Sequence, residues 1–287
     1  MTGRGALVLV LLVLVAGGIG VAAWVGTSSD GDAAPPPPPQ PVAAPRPLRI
    51  IFPEGFTRSE MADRVDAVRE IAIDRRGITP RLTKQGYLAA TKVAVPPPQF
   101  RTDWERGVIE GFLFPATYDF TRLTGARRLV ADQLRTFRRQ WAKVDLRYAR
   151  SKNLTPYDVL IIASMVEEET AVPAERRLVA AVIYNRLRNG MPLGIDATIR
   201  YGLGIPGTES LTKKALATDS PYNTRLRTGL PPTPITNPGL ASMQAAAHPA
   251  QVDHLYYVRK PGSLSHFFTA SESEFLRKVC EYGYACD

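Results

Sequence analysis

The chain has 287 residues, 45% of them apolar, and a formal net charge of +9. That length can bury one sizeable core, or a core with one small module, and no more. The basic residues are scattered, so the charge suits lipid headgroups, wall polymers or nucleic acid without choosing among them. No motif that reads RNA or DNA accompanies the charge, so we do not expect nucleic acid as a partner.

The first long feature is an uncharged apolar run over residues 6–25. It is about long enough to cross a hydrocarbon core of ~30 Å, and it predicts a single membrane-spanning helix after a cytoplasmic tail at 1–5. Arg4 precedes the run, and Asp30 and Asp32 follow it, so we expect the N-terminus in the cytoplasm and the bulk of the chain outside. The alternative is a cleaved signal peptide ending in small residues near Ala23, although the run exceeds the usual ~7–15 residue signal core.

Residues 26–47 contain five consecutive prolines and are rich in Ser, Asp and Ala. This composition predicts a semi-rigid spacer rather than a folded element. At the other end of the chain, Cys280 and Cys286 lie within the last eight residues. Outside the cytoplasm they could close a small disulfide loop, and two free thiols are the alternative.

The globular part is expected to begin near Leu48 with a strand over 49–52, a turn, and a helix over 59–73 that is capped by Ser59. Residues 93–98 resemble a linker. The aromatic segment 109–118 is punctuated by Gly and Pro, and packing of its rings into the core is the plain interpretation.

Helices are then predicted over 127–144, 155–169 and 174–188, the last ended by Asn189 and Gly190. Beyond Gly190 the glycines and prolines predict loop, including a long irregular stretch over 228–239 of the kind that is often functional. Two strands follow over 254–258 and 265–269, joined across Pro261 and Gly262.

The most informative stretch is the end of the helix over 155–169. Its apolar residues occupy every side up to Val166, which predicts a buried helix, and three carboxylates follow: Glu167, Glu168 and Glu169. Desolvation and the negative end of the helix dipole both favour the neutral form of a carboxyl there, which is what a general acid needs. The alternative is a solvated acidic cap.

Helical spacing favours Glu169 among the three. It continues the apolar stripe of Val159, Ile162, Met165 and Val166, because residues three and four apart share a face. A metal centre is not expected, since the three histidines lack metal-ligand spacing and no cysteine pair lies near them. No cofactor-binding motif is present either.

The segment 163–171, Ala-Ser-Met-Val-Glu-Glu-Glu-Thr-Ala, resembles the Glu-x-Glu motif of the YceG-like endolytic murein transglycosylases (the MltG family). Further colinear matches occur at 110–118, 185–193, 196–202, 222–224, 228–232, 237–239, 245–249 and 266–268. The resemblance implies an α+β chain with a membrane helix, a truncated LysM-like α/β module over 48–95, and a mixed helical and short-strand catalytic domain over 96–287. It departs from the family in that module's length and in Ala116, where the family usually has an acidic residue.

The resemblance also implies an activity: cleavage of the β-1,4 bond between N-acetylmuramic acid and N-acetylglucosamine with formation of a 1,6-anhydro end. Glu169 would be the acid and base of this reaction. Glu167 would be a supporting carboxylate or, equally, a solvated structural one, and Glu168 a surface residue. Peptidoglycan strands would be the substrate, peptidoglycan synthases would be partners, and cleavage would limit strand elongation.

The matched loops supply candidates for binding sugar hydroxyl or N-acetyl groups, with turn stabilisation as the alternative role for the polar ones. They are Asp196, Thr198, Tyr222, Asn223, Thr228 and Asn237. His266 would line the cleft, and His248 would be structural. Two rival functions stay open: a membrane-anchored glycan-binding protein without catalysis, and a hydrolase with Asp196 as its second carboxylate.

Overall fold

The computed structural model describes residues 47–104 and 108–284. The predicted cytoplasmic tail, the membrane helix and nearly all of the Pro-rich spacer lie outside these residues. Within them, no helix is both long enough and apolar enough to cross a membrane.

The described residues form a mixed α+β structure, as predicted. The helices are α1 Arg58–Arg76, α2 Lys84–Lys92, α3 Ala126–Trp141, α4 Arg147–Ser151, α5 Pro156–Glu169, α6 Arg176–Arg188, α7 Asp196–Leu203, α8 Lys213–Leu216, α9 Leu240–Ala247 and α10 Glu272–Glu281. The strands are β1 Leu48–Ile51, β2 Thr117–Phe120, β3 Tyr256–Arg259 and β4 His266–Thr269. They form two antiparallel pairs, β1 with β2 and β3 with β4.

The first helix begins earlier than the sequence predicted. Thr57, not Ser59, is its N-cap, because the Thr57 hydroxyl accepts from the backbone N–H of Glu60 while the Glu60 carboxylate accepts from the Thr57 N–H. Thr155 and Asp158 form the same reciprocal box at the start of α5, which the sequence placed within one residue.

The prediction of loop beyond Gly190 was wrong where α7, α8 and α9 lie, whereas residues 228–239 are irregular as predicted. The glycines have other roles: Gly204, at φ 64°, ends α7 as its C-cap. Gly202 lies inside α7 and packs against Tyr222. A Cβ added to residue 202 would lie 2.6 Å from the Tyr222 Cβ, which is too close for any larger residue. The sequence also missed α2, α4 and α10.

The core is centred on α5. Every residue from Tyr157 to Val166 except Asp158 is buried, as the all-round apolar pattern predicted, and α5 packs chiefly against α9 and α6. The antiparallel register of β1 and β2 pairs Leu48 with Phe120, so the segment assigned to a LysM-like module shares a sheet and one core with the segment assigned to the catalytic domain.

The aromatic segment 109–118 packs into this core through Phe112 and Leu113. Glycine is needed at position 111 for two reasons: its φ is +88°, and a Cβ there would lie 2.7 Å from the ring of Pro234. The loop that contains Pro234 is held against α5, because the Ile235 N–H donates to the Ser164 hydroxyl (3.0 Å). The long irregular stretch is therefore fixed over the C-terminal half of the buried helix.

The β3–β4 hairpin is close to its predicted position, and α10 follows it. Cys280 in α10 takes part in a disulfide bond, whereas Cys286 lies outside the described residues.

Candidate active site

Glu169 is the last residue of α5, and Thr170 ends the helix with an extended backbone. The carboxylate of Glu169 accepts a hydrogen bond from the Tyr257 hydroxyl, at 2.9 Å to Oε2. The end of α5 thus places the Glu169 carboxyl against Tyr257 in β3 of the β3–β4 hairpin. Residue spacing predicted this carboxyl but not its tyrosine partner.

Burial raises the pKa of Glu169, and the negative charge of Asp196 adds to that rise. The Tyr257 hydrogen bond and the positive charge of Arg225 work in the opposite direction. Burial and the neighbouring Glu169 raise the pKa of Tyr257 well above its usual value, so the phenol is a neutral donor near neutral pH. Glu169 therefore has the raised proton affinity of a general acid and keeps one donor for its ionised form.

His266 is oriented by a carboxylate that the sequence did not single out. Glu175, in a 3-10 turn over Pro173–Glu175, accepts from the His266 backbone N–H (2.9 Å) and lies 2.7 Å from the ring Nδ1. Because an ionised carboxylate only accepts, we assign the imidazole proton to Nδ1, which leaves Nε2 as an acceptor. The His266 ring meets the Tyr257 ring edge-on, with 5.4 Å between centroids.

Asp196 and Arg225 add a half-exposed ion pair near Glu169. Arg225 Nε lies 2.7 Å from Asp196 Oδ1, with side-chain exposures of 46% and 44%. Asp196 is the first residue of α7 rather than part of a loop. The structure thus groups three predicted site residues, Glu169, Asp196 and His266, with Tyr257 and Arg225.

Glu167 points elsewhere. Its side chain is only 7% exposed, and its Oε2 accepts from the backbone N–H of Gly239, the N-cap of α9, at 2.8 Å. Arg176 lies 3.7 Å away. Glu167 is thus a buried carboxylate that ties α5 to the start of α9, where the helix dipole favours a negative charge.

Glu168 is exposed, as expected of a surface residue. Partial desolvation, and then the carboxylates of Glu60, Glu167 and Glu169, raise the pKa of Glu168 to about 7. Its crowding by like charges comes from the tertiary structure, since Glu60 belongs to α1.

Three of the predicted sugar-binding residues are fully buried: Thr198, Asn223 and Asn237. Thr198 donates to the Ile195 carbonyl (2.7 Å), and the Asn223 amide donates to the Leu216 and Thr218 carbonyls. These contacts are those of the turn-stabilising alternative. Direct contact with a glycan is not available to these three side chains in this conformation.

The other predicted positions lie nearer the surface. Tyr222 is half-buried, with its hydroxyl 2.8 Å from the Thr233 hydroxyl, and Thr228 is exposed. The backbone carbonyl of His248 accepts from Arg177 (2.9 Å), and its ring lies against Tyr148, which suits the structural role expected of it.

Glu110 is a buried carboxyl group to which the sequence assigned no role. It is buried, accepts from the Arg58 backbone N–H at the start of α1 (2.8 Å), and accepts from the Asn237 amide (2.5 Å). Asn237 in turn accepts from the Leu113 N–H (2.9 Å). Burial raises the pKa of Glu110 to about 8, against the opposing hydrogen bonds. Glu110 and Asn237 together therefore link α1, the aromatic segment and the loop before α9.

Within residues 47–104 and 108–284, no three His, Cys, Asp or Glu side chains are grouped so as to hold a metal ion.

Fold and site together define a class: a mixed α+β protein with one desolvated carboxylate at the end of a buried helix, facing a tyrosine and an oriented histidine. The model of the YceG-like family matches residues 39–281, so the chain belongs to that family, and the resemblance noted in the sequence is confirmed.

Named relatives and a solved structure agree with this. The endolytic murein transglycosylase of Bacillus subtilis (strain 168) is 38% identical over 156 residues, which cover 53% of this chain and 42% of the relative. That of Streptococcus pneumoniae (strain R6) is 33% identical over 180 residues, which cover 61% and 32%. The chain thus matches less than half the length of each. The 2.6 Å crystal structure of a YceG-like protein from Listeria monocytogenes has a TM-score of 0.66 at 28% identity, and the match covers 81% of this chain and 76% of that one.

Proposed function

We propose that the protein is an endolytic lytic transglycosylase of peptidoglycan, which cleaves the β-1,4 bond between N-acetylmuramic acid and N-acetylglucosamine. The observation that carries the proposal is Glu169, a desolvated carboxyl with a raised pKa at the end of a buried helix. The family's named relatives, endolytic murein transglycosylases, support the substrate class.

In the proposed reaction, Glu169 protonates the glycosidic oxygen as the bond from that oxygen to the anomeric carbon breaks. The 6-hydroxyl of the muramic residue then bonds to the anomeric carbon, and Glu169 takes the proton from that hydroxyl. No water is consumed, and the carboxyl returns to its starting state. Because the nucleophile belongs to the substrate, correct orientation of the sugar supplies much of the rate.

The neighbouring groups have matching roles. The Tyr257 hydroxyl stabilises the Glu169 carboxylate that exists between the two proton transfers. Glu175 holds the His266 imidazole through Nδ1. The His266 Nε2 accepts a hydrogen bond from a sugar hydroxyl and so orients the sugar ring. Asp196 is already ion-paired with Arg225, which favours a binding role for it over that of a hydrolytic base.

The three consecutive glutamates provide a matched test. Uncrosslinked glycan strands are digested with wild type, Glu169→Gln, Glu168→Gln and Glu167→Gln, and the products are read by mass spectrometry. We expect anhydro ends from wild type and Glu168→Gln, none from Glu169→Gln, and reduced thermal stability for Glu167→Gln. Hydrated ends, heavier by one water, would establish a hydrolase instead. Glycan binding without cleavage by wild type would favour the non-catalytic rival.

We also propose that the protein is anchored in the cell membrane through residues 6–25, with its N-terminus cytoplasmic and its catalytic part outside, where it terminates strands beside the synthases. The disulfide at Cys280 supports an oxidising compartment. Reporter fusions to residue 5 and to the C-terminus test the orientation, and a cytoplasmic C-terminus would refute it.

A further inference from the structure

One helix carries a concentrated positive surface that the proposed reaction does not use. The solvent side of α3 presents five exposed arginines, here called the arginine face: Arg127, Arg128, Arg135, Arg138 and Arg139. The opposite side of α3 buries Leu129, Val130, Phe137 and Trp141 in the core, so the helix is fixed in rotation and the arginines cannot turn inward.

The positive charge of this face is largely uncompensated. Asp132 lies at its edge and pairs with both Arg128 (3.0 Å) and Arg135. Arg127 and Arg138 form no ion pair within the described parts of the chain, and Arg139 donates to the Thr136 hydroxyl instead. Five positive charges against one negative charge leave a local excess of +4 on a single helix.

Further positive residues follow α3 in the chain. Over residues 143–152, Asp145 is the acidic residue and pairs with Arg147 (2.6 Å). Lys143, Arg150 and Lys152 are exposed on the same stretch. The whole region from α3 to the end of α4 therefore suits an extended anionic surface better than a single small anion.

The chain's connectivity favours a bilayer as that surface. Residues 6–25 are the predicted membrane helix, and the spacer that follows leads into β1. Leu48 of β1 pairs with Phe120 of β2, and α3 begins six residues after Phe120. A proline-rich spacer over 26–47 reaches at most about 70 Å at ~3.1 Å per residue, so an anchored protein keeps the start of β1 within that distance of the membrane.

We propose that the arginine face docks on the anionic phospholipid headgroups of the membrane in which the chain is anchored. Guanidinium groups bind phosphate oxygens through paired N–H donors, and each arginine close to an anionic bilayer strengthens binding about fivefold. The docked surface is a second membrane signal beside the apolar anchor, and it limits the orientations that the tethered domain adopts. The proposal depends on the predicted anchor and is independent of the chemistry at Glu169.

Vesicle binding tests this directly. The portion from Pro45 to Asp287 is a compact unit with its own core, so it serves without the predicted anchor. We compare its binding to phosphatidylcholine vesicles with binding to vesicles that contain about one third phosphatidylglycerol. The matched variants are Arg127→Ala/Arg138→Ala and Arg75→Ala/Arg76→Ala, which remove equal charge from exposed positions at the ends of different helices.

We expect salt-sensitive binding to the anionic vesicles alone, weakened about 25-fold in the α3 variant and less than about threefold in the α1 variant. Equal weakening in the two variants would overturn the proposal, because net charge and not the arginine face would then decide binding. Absence of wild-type binding, or binding to soluble poly(glycerol phosphate) without binding to vesicles, would overturn it too. Circular dichroism checks that both variants are folded.

Discussion

The hydroxyl of Tyr257 controls the proton affinity of Glu169, and its removal has a calculable effect. In Tyr257→Phe the ring keeps its contacts with His266 and Phe268, and the 2.9 Å hydrogen bond to Glu169 Oε2 is lost. That bond stabilises the ionised form of Glu169 and lowers its pKa against the effect of burial. Its loss therefore raises the Glu169 pKa further.

The magnitude follows from the strength of such bonds. A hydrogen bond to a charged group contributes about 1.5–3 kcal/mol, which corresponds to a pKa change of about 1–2 units. The reaction begins with protonated Glu169, so activity falls as pH rises through that pKa. We expect the alkaline limb of the pH–rate profile to move upward by about 1–2 units in Tyr257→Phe. The maximal rate falls about tenfold, because the carboxylate formed during the reaction loses its donor.

Anhydro-product release, measured against pH, is the assay. Tyr256→Phe is the matched control, because Tyr256 is the adjacent strand residue, its ring stacks on Phe275, and it makes no hydrogen bond to Glu169. An alkaline limb at the same pH in wild type and a folded Tyr257→Phe would refute the assigned coupling. A shift of equal size in Tyr256→Phe would do the same.

Further tests concern the structure around the site. The raised pKa of Glu110 means that its stabilising contribution is complete below about pH 4.5 and is lost as pH rises to about 8. Between pH 5 and pH 8 the free energy of unfolding should therefore fall by on the order of several kcal/mol in wild type and by clearly less in Glu110→Gln. Denaturant titrations at several pH values measure this, and an equal pH dependence in the two proteins would contradict it. Gly111→Ala should cost about 3 kcal/mol or more, whereas Gly229→Ala, with the same φ of +88° but open space, should cost about 1 kcal/mol, as thermal unfolding would show. Glu175→Ala should release the His266 ring, so that ¹⁵N NMR shows a mixture of tautomers and kcat/KM falls about tenfold or more. An unchanged Nδ1–H tautomer in this variant would show that Glu175 does not position the ring.

Much of the fold could be predicted because its signals are local. The all-round apolar pattern of residues 157–166 identified α5 as buried, and two aromatic-rich runs joined across Pro261 and Gly262 placed the β3–β4 hairpin. The start of α1 was misplaced, since Thr57 and Ser59 are both good caps and only the Glu60 contact decides between them. Helix α7 was missed because it contains Gly202, which is required by the packing of Tyr222, a contact that lies outside any local pattern.

The sequence alone determined that carboxylates end a buried helix, and helical spacing favoured Glu169 among the three, because both follow from the periodicity of one segment. Only the tertiary structure decided what surrounds it. Tyr257 reaches Glu169 from 88 positions along the chain, and Glu175 meets His266 across 91 positions. Asn237 belongs to a buried network with Glu110, 127 positions away. Desolvation, hydrogen bonding and neighbouring charge set the chemistry of a carboxyl, and all three depend on contacts that form only when distant segments pack together.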